Sequence, residues 1–444
     1  MDPTIVQEVA VRHQFIILAD GPDALNELCG ISLLERLLRT LQRLGLTKAI
    51  VLSATPDLVA SHLEEPSPHR ARIALDLRHR APGSLSVPQI AKAWPNDSDR
   101  VIVIRGDGVF DPRLIELLDD QDTTAALVDS APPPGLQSLV ARATTTSRGR
   151  LCGAVLISRD WAKSRDGLFA QALSEEIATG AIQALDIAGR VWHHPSMRRQ
   201  SHPTWFPVPA PEEEPSARRF LIQAAQKGSL DFPAMVHGPI ENFLISHLCR
   251  KPITPNQLTA MTNIAAWGAT FLFATGRLGW GAILALAVGI LDGLDGKQAR
   301  VKIETTKAGQ LEHWFDAFFE HSWWIAIAYG LESSGRLPGA FLYLILLMGA
   351  EALAGLAKFS VIRSCGRTLD ELGDFNRIVR LVGGRRNIYV WVFALGALLG
   401  VPADAFKIMS IWAAITAAVQ VPRAAIAIRA HRERRVPPEF PAEA

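Results

Sequence analysis

Asp292 and Asp295 stand three residues apart in the stretch LDGLDGKQAR, and Glu312, Asp316 and Glu320 follow at steps of four. Acids three or four apart share one face of a helix. If two such helices pack side by side, Asp292, Asp295, Glu312 and Asp316 converge at one depth. Negative charges gathered in a partly dry site repel one another beyond what small pKa shifts relieve. Divalent cations resolve that conflict, and hard oxygen ligands favour Mg²⁺, Mn²⁺ or Ca²⁺. Gly293 and Gly296 leave space for close approach of backbone or ligand. Such a site suits phosphoryl transfer. An ion or proton transporter is the reading from another class, but the acids sit at helix ends and no inverted repeat is visible.

The elements that must position these acids are apolar. Six segments follow Asn256, at about 257–275, 278–291, 314–330, 337–359, 388–400 and 405–428. Several are short against the ~20 residues a spanning helix needs, and the second and third reach that length only if their charged ends enter the membrane zone. Arg250 and Lys251 precede the first segment; Lys297, Arg300, Lys302 and Lys307 follow the second. Arg363, Arg367, Arg377, Arg380, Arg385 and Arg386 follow the fourth, and Arg429, Arg432, Arg434 and Arg435 the sixth. The positive-inside rule then puts both termini and the preceding soluble domain in the cytoplasm of a multi-pass membrane protein. Ahead of the first span, Ile240, Phe243, Leu244 and Leu248 recur at helical spacing, as in an amphipathic helix at the membrane interface.

The first half reads as soluble α/β protein. Gln14–Asp20, Lys48–Ala54 and Arg100–Phe110 read as strands, and Leu33–Gly45 as a helix capped by Ser32 and stopped at Gly45. Strands alternating with helices imply a Rossmann-like parallel sheet, with ligands at the strand carboxyl ends. Over 197–238, HPTWFPVPAPEEEPSARR is proline-rich and acidic and reads as a linker, with ARRFLIQAAQKG a candidate short helix after it. The organisation expected is a soluble domain over 1–196, the linker over 197–238, a membrane domain with its leading helix over 239–435 and a tail over 436–444. The net charge of +2 marks no nucleic-acid binder. The 4 cysteines lie far apart without metal spacing, which suits a reducing cytoplasm. The amino terminus lacks the pattern of a cleaved signal peptide.

Two resemblances follow from these residues. The stretches IILADG, LLERLLRTLQRLGLTKAIVLS and IRGDGVFDPRLIELL, about Ile16 to Leu118, resemble the sugar-phosphate nucleotidyltransferase fold. That family carries a basic residue in its first loop, whereas ADGPDALNELCG has Asp20 and Asp23 and no cation. Asp107 matches the family's metal-binding aspartate. The domain is therefore read as degenerate, since phosphate chemistry needs the missing cation.

In the membrane half, Asp292, Asp295, Gly296, Ala299, Arg300, Gly309, Glu312 and Asp316, with PITPNQLT at Pro252–Thr259, resemble the CDP-alcohol phosphatidyltransferase family. The family usually has one more residue between the second glycine and its third acid, an Asp; here Glu312 stands one position early and keeps the four-residue step to Asp316. The resemblance implies a six-helix all-α membrane domain with two Mg²⁺ or Mn²⁺ ions held by Asp292, Asp295, Glu312 and Asp316, and Asp316 as general base. It implies a CDP-alcohol donor, CDP-diacylglycerol or a CDP-headgroup, near Asn256, Thr259, Gly296, Ala299 and Arg300, with CMP released. Arg377, Arg380, Arg385 and Arg386 suit a phosphorylated alcohol acceptor, or alternatively lipid headgroups. Relatives of this family are commonly homodimers. Fusion to a nucleotidyltransferase-like domain resembles bifunctional inositol-phosphate enzymes, so synthesis of the CDP-alcohol from CTP by the first domain is the alternative reading.

Overall fold

The computed structural model describes residues 11–66, 70–194, 197, 199–228, 231–304 and 309–435, with backbone alone at 309–317 and 433–435. Lys307, the tail 436–444 and the side chains of Glu312, Asp316, Arg434 and Arg435 lie outside the described residues. The chain divides into two units: Met1–Gln226 with Ser246–Pro252 and Gln298–Glu304, and Lys227–Ile245 with Ile253–Lys297 and Thr305–Ala444.

The first unit is built on strands β1 (Gln14–Leu18), β2 (Lys48–Ser53), β3 (Ala74–His79), β4 (Arg100–Arg105), β5 (Gly108–Phe110), β6 (Ala125–Asp129), β7 (Gly149–Ser158), β8 (Gln183–Asp186) and β9 (Trp205–Pro207). Its 8-stranded sheet runs β3-β2-β1-β4-β7-β6-β8, with Thr145–Thr146 beside β7. Phe15, Ile16, Ile17 and Val101–Ile104 are buried on both faces, which explains their unbroken apolar runs. The sheet is mixed, not purely parallel as the sequence suggested. β1, β2, β3 and β4 pair in parallel, whereas β7 runs antiparallel to both β4 and β6. Helix α1 (Leu33–Arg43) starts where expected, with Ser32 Oγ accepting from Glu35 N at 3.2 Å. Gly45 ends it at φ 87°, a left-handed turn that glycine enters without strain.

The stretch read as a linker is instead partly structured. β9 pairs antiparallel with β5, Trp205 is buried, and its Nε1 donates to Asp129 Oδ2 at 2.8 Å. Helix α2 (Glu214–Ala224) follows, overlapping the candidate short helix ARRFLIQAAQKG. Proline content suggested an extended spacer, but the proline that ends β9 faces a strand only 3 residues long, where a missing donor costs little.

In the second unit each of the six apolar segments lies in a helix. Helix α3 (Phe232–Leu248) leads into α4 (Pro255–Ala274), α5 (Leu278–Lys302), α6 (Gly309–Ser333), α7 (Ala340–Cys365), α8 (Asp374–Val382), α9 (Arg386–Leu398) and α10 (Pro402–Arg435). Among the described residues, Leu278–Lys302, Ala340–Cys365 and Pro402–Arg432 are long and apolar enough to cross a membrane. Ile264, Phe271, Trp280, Leu342 and Ile345 point outward, as lipid-facing side chains do. Inside, Phe273, Trp323, Trp324, Tyr389 and Phe393 pack edge-on at centroid distances of 5.6 to 6.5 Å. Trp323 Nε1 donates to Ala266 O at 2.9 Å, satisfying a buried donor and tying α6 to α4.

The expected interfacial helix is longer than its apolar spacing indicated, since α3 begins at Phe232 and carries Pro239 within it. Phe232, Met235, Ile240 and Phe243 are exposed, whereas His237, Glu241 and Ile245 face inward.

Candidate functional site

Asp292 and Asp295 sit on the last turns of α5, in a helix that continues unbroken to Lys302. Asp295 is buried at 3% exposure, and Thr259 Oγ1 on α4 donates to its Oδ2 at 2.7 Å. Gly296 N donates to its Oδ1 at 2.5 Å. The start of α4 is fixed by a capping box: Thr254 Oγ1 accepts from Gln257 N, and the Gln257 side chain returns to Thr254 N at 3.0 Å. That box holds Thr259 one turn further along, whereas Asn256 lies exposed beside the cap. Thr259, Gly296 and Asp295 are thus brought together.

Asp292 meets a different partner, forming an ion pair with Arg386 at the start of α9. The Arg386 guanidinium also lies 5.3 Å from the Phe319 ring centroid. Its neighbour Gly384 is pinned, with its N–H donating to Thr416 Oγ1 on α10 at 2.7 Å. Arg385 and Arg386 line a cavity of about 360 Å³ with Lys358, Glu320, Glu351 and Asp231. The cations face the amino terminus of α9, where unpaired N–H groups favour anions. Asn387 Nδ2 donates to Asp231 Oδ2 at 3.1 Å, which fixes this edge. Arg377 and Arg380 do not line that cavity; they pair with Asp374 at 3.2 Å and Asp370 at 3.5 Å.

Behind Asp292 and Asp295 lies a buried pair that sequence reasoning missed. Lys297 Nζ donates to Glu241 Oε2 at 2.8 Å and to Asn242 Oδ1 at 2.9 Å, with Lys297 at 0% exposure. A Cβ on Gly293 would collide with the Glu241 carboxylate, so the glycine leaves room for that side chain where it meets Lys297. No spacing rule links positions 241 and 297. Glu320, Glu351 and Lys358 gave no firm signal either, because isolated acids in apolar helices serve packing as readily as binding. Ala299 and Arg300 belong to the first unit, where Arg300 Nε donates to Ala225 O at 2.7 Å.

The described metal-site candidates, Asp292 and Asp295, offer hard carboxylate oxygens of the kind Mg²⁺ or Mn²⁺ prefers. Among the described residues no group of three or more His, Cys, Asp or Glu is placed to hold a metal. Glu312 and Asp316 lie on α6, whose first turns are described as backbone only.

The first unit has its own cavity of about 670 Å³ at the carboxyl ends of β1 and β4. Arg80, at the end of β3, forms an ion pair with Asp20 and donates to the carbonyls of Ala81 and Gly83, each at 2.8 Å. Arg105 Nε and Nη2 bind the two oxygens of Asp107 at 2.8 and 2.6 Å. The cation absent from the first loop therefore arrives from β3, but it is spent on Asp20. Asp107, the expected metal ligand, is likewise held by an arginine.

Residues 252–421 match the family model described as CDP-alcohol phosphatidyltransferase, and the chain carries a domain of that family, which makes it a transferase. The family is membrane-embedded, in keeping with the three long apolar helices. Among curated relatives, a "Bifunctional IPC transferase and DIPP synthase" of Rubrobacter xylanophilus is 28% identical over 86% of this chain and 88% of its own. A protein of the same description from Aquifex aeolicus is 26% identical over 47% of each. The first unit is similar to the inositol-1-phosphate CTP transferase from T. maritima, at 13% identity and a TM-score of 0.34 over 46% of this chain and 92% of that one. The second is similar to the Mycobacterium tuberculosis phosphatidylinositol phosphate synthase with CDP-DAG bound, at 19% identity and a TM-score of 0.34 over 43% and 94%. Likeness of that size is no basis for an activity.

Proposed function

We propose that the membrane unit moves a phosphoalcohol group from a CDP-alcohol to an acceptor hydroxyl and releases CMP. The observation that carries this reading is the meeting of Asp292, from the acid pattern, with Arg386, from the cationic cavity. Carboxylates beside a cationic pocket suit a reaction between a diphosphate donor and an anionic acceptor. Asp292, Asp295, Glu312 and Asp316 would hold two Mg²⁺ or Mn²⁺ ions. When bound, those ions would neutralise the diphosphate and the departing CMP.

The chain's own residues do the rest. Thr259 orients the Asp295 carboxylate, and with Asn256 and Gly296 it borders the donor, whereas Ala299 and Arg300 belong to the first unit. Arg385, Arg386 and Lys358 hold a phosphate on the acceptor, an alcohol phosphate of the inositol or glycerol kind. Arg377 and Arg380 attract that anion from farther out. The acceptor oxygen bonds to the phosphorus distal to cytidine, its proton passes to Asp316, and the bond from that phosphorus to the bridging oxygen breaks. The arrangement suits six spans with both termini in the cytoplasm, and pairing of two copies as in related enzymes. Lipids from cells with and without the protein, compared by mass spectrometry, test the assignment. A missing phosphodiester lipid names the acceptor, and an unchanged lipid profile with altered ion flux would favour a transporter.

A second reading has its own support, since the Rubrobacter xylanophilus relative named bifunctional aligns over most of both chains. The first unit would then make the CDP-alcohol from CTP. Arg80 and Arg105 at the strand ends are each paired with a carboxylate, Asp20 and Asp107, as Arg386 is with Asp292. Pyrophosphate released from CTP and an alcohol phosphate by the full chain, and lost in Asp107→Asn, would establish it.

A further inference from the structure

A second cavity in the first unit, of about 600 Å³, shares no lining residue with the one at the strand carboxyl ends. It lies among α1, the residues after β5, the 199–204 arm and α2, with the Arg300–Ile303 segment of the same unit. Arg36 is 3% exposed, donating from Nη1 to Val301 O at 2.6 Å and from Nη2 to Leu28 O at 2.8 Å, while its Nε has no partner. Arg199 donates from Nη2 to Ala224 O at 2.7 Å and likewise leaves Nε without a partner. Arg43 stands exposed at the rim. None of these three arginines forms an ion pair with a carboxylate among the described residues. The acid in the cavity wall, Asp111, is taken by Arg113 through Nε at 2.9 Å and Nη2 at 2.7 Å.

A buried guanidinium held only by carbonyls, as Arg36 is, is costly, and an anion in the cavity beside it offsets that cost. Burial, followed by repulsion from Arg113, lowers the Arg199 guanidinium from its usual range, as expected of a cation lacking a counter-charge. Phe110, Phe220, Met197 and Leu221 supply apolar walls on which a ring can rest. We propose that this cavity is a binding site for a phosphate or diphosphate ester with a small ring-bearing body, gripped by Arg36, Arg199 and Arg43. It is distinct from the transferase site, and its three cations supply the positive charge that phosphate groups attract.

The test is calorimetric titration of the full chain in detergent with inorganic pyrophosphate. EDTA is present so that no metal-dependent site contributes. Saturable binding that weakens as salt rises is expected, with affinity reduced about tenfold or more in Arg43→Gln and in Arg199→Gln, since each removes a charge-assisted hydrogen bond. Arg105→Gln, in the other cavity, leaves it unchanged. Arg43 is at the exposed rim, so its variant keeps the test valid should Arg199→Gln fail to fold. Displacement of pyrophosphate by CMP identifies a soluble nucleotide, and displacement by phosphatidylglycerol in nanodiscs identifies a lipid headgroup. Absence of saturable binding, or equal affinity in wild type and both variants, overturns the proposal.

Discussion

Glu241→Ala is expected to destabilise the membrane unit more than any exposed charge change in the chain. Lys297 is at 0% exposure and Glu241 at 7%, and they meet at 2.8 Å. Removing one partner of a buried pair costs about 3–5 kcal/mol, because the remaining charge stays in a low-dielectric site. For a unit of this size each kcal/mol moves Tm by about 2–4 °C, so a fall of roughly 6–20 °C is expected. Thermal unfolding in detergent, followed by tryptophan fluorescence, reads it. The double variant Glu241→Leu/Lys297→Met removes both charges at similar volume and should recover most of the loss. Turnover should fall in Glu241→Ala even at low temperature, because Lys297 lies between Asp295 and Arg300 on α5. A Tm within about 2 °C of wild type, less than the cost of a single kcal/mol, would refute the reasoning. So would a double variant no better than the single one.

Three further outcomes follow from the same structure. Asp119 accepts from Arg12 N at 2.8 Å, His13 N at 3.0 Å and the His13 ring at 3.0 Å; burial alone would raise its carboxyl, but these bonds outweigh burial and hold it below the usual range. A lowered carboxyl stabilises the fold above its unfolded value, and that contribution is lost as pH falls through the folded value, so Asp119→Asn should lower Tm near neutrality, its deficit from wild type should shrink as pH falls, and its Tm should show a flatter pH dependence. Gly330→Ala places a methyl 2.5 Å from Phe273 O, and about 1–3 kcal/mol of strain should appear as a lower Tm, whereas the same change at exposed Gly349, which has nothing within 4 Å, should not lower it. Arg386→Gln should raise KM for a phosphorylated acceptor more than for the CDP-donor, and equal effects on both would remove Arg386 from the acceptor site.

Much of this architecture was legible because local rules apply to it. Asp292 and Asp295 lie three apart on one helix, α5, which runs on to Lys302 where the sequence suggested an end, and Ser32 and Gly45 bound α1 as their chemistry requires. The six apolar segments are helical for the same reason. What escaped depends on contacts between distant residues. The pair of Glu241 with Lys297 and that of Asp292 with Arg386 have no spacing signature, since tertiary packing alone brings them together. β7 was missed because GRLCGAVLIS lacks alternation, being a central strand covered on both faces. The linker reading failed at Trp205, where one buried aromatic and a hydrogen bond to Asp129 anchor an otherwise proline-rich stretch.

Release of CMP tests the transferase assignment most directly. The purified chain, given CDP-diacylglycerol and a panel of alcohols and alcohol phosphates, should liberate CMP only with Mg²⁺ or Mn²⁺ and only with a matching acceptor. EDTA, Asp292→Asn, Asp295→Asn and Asp316→Asn should each abolish it. CMP release that persists in the Asp292→Asn and Asp295→Asn variants, or that needs no divalent ion, would contradict the account.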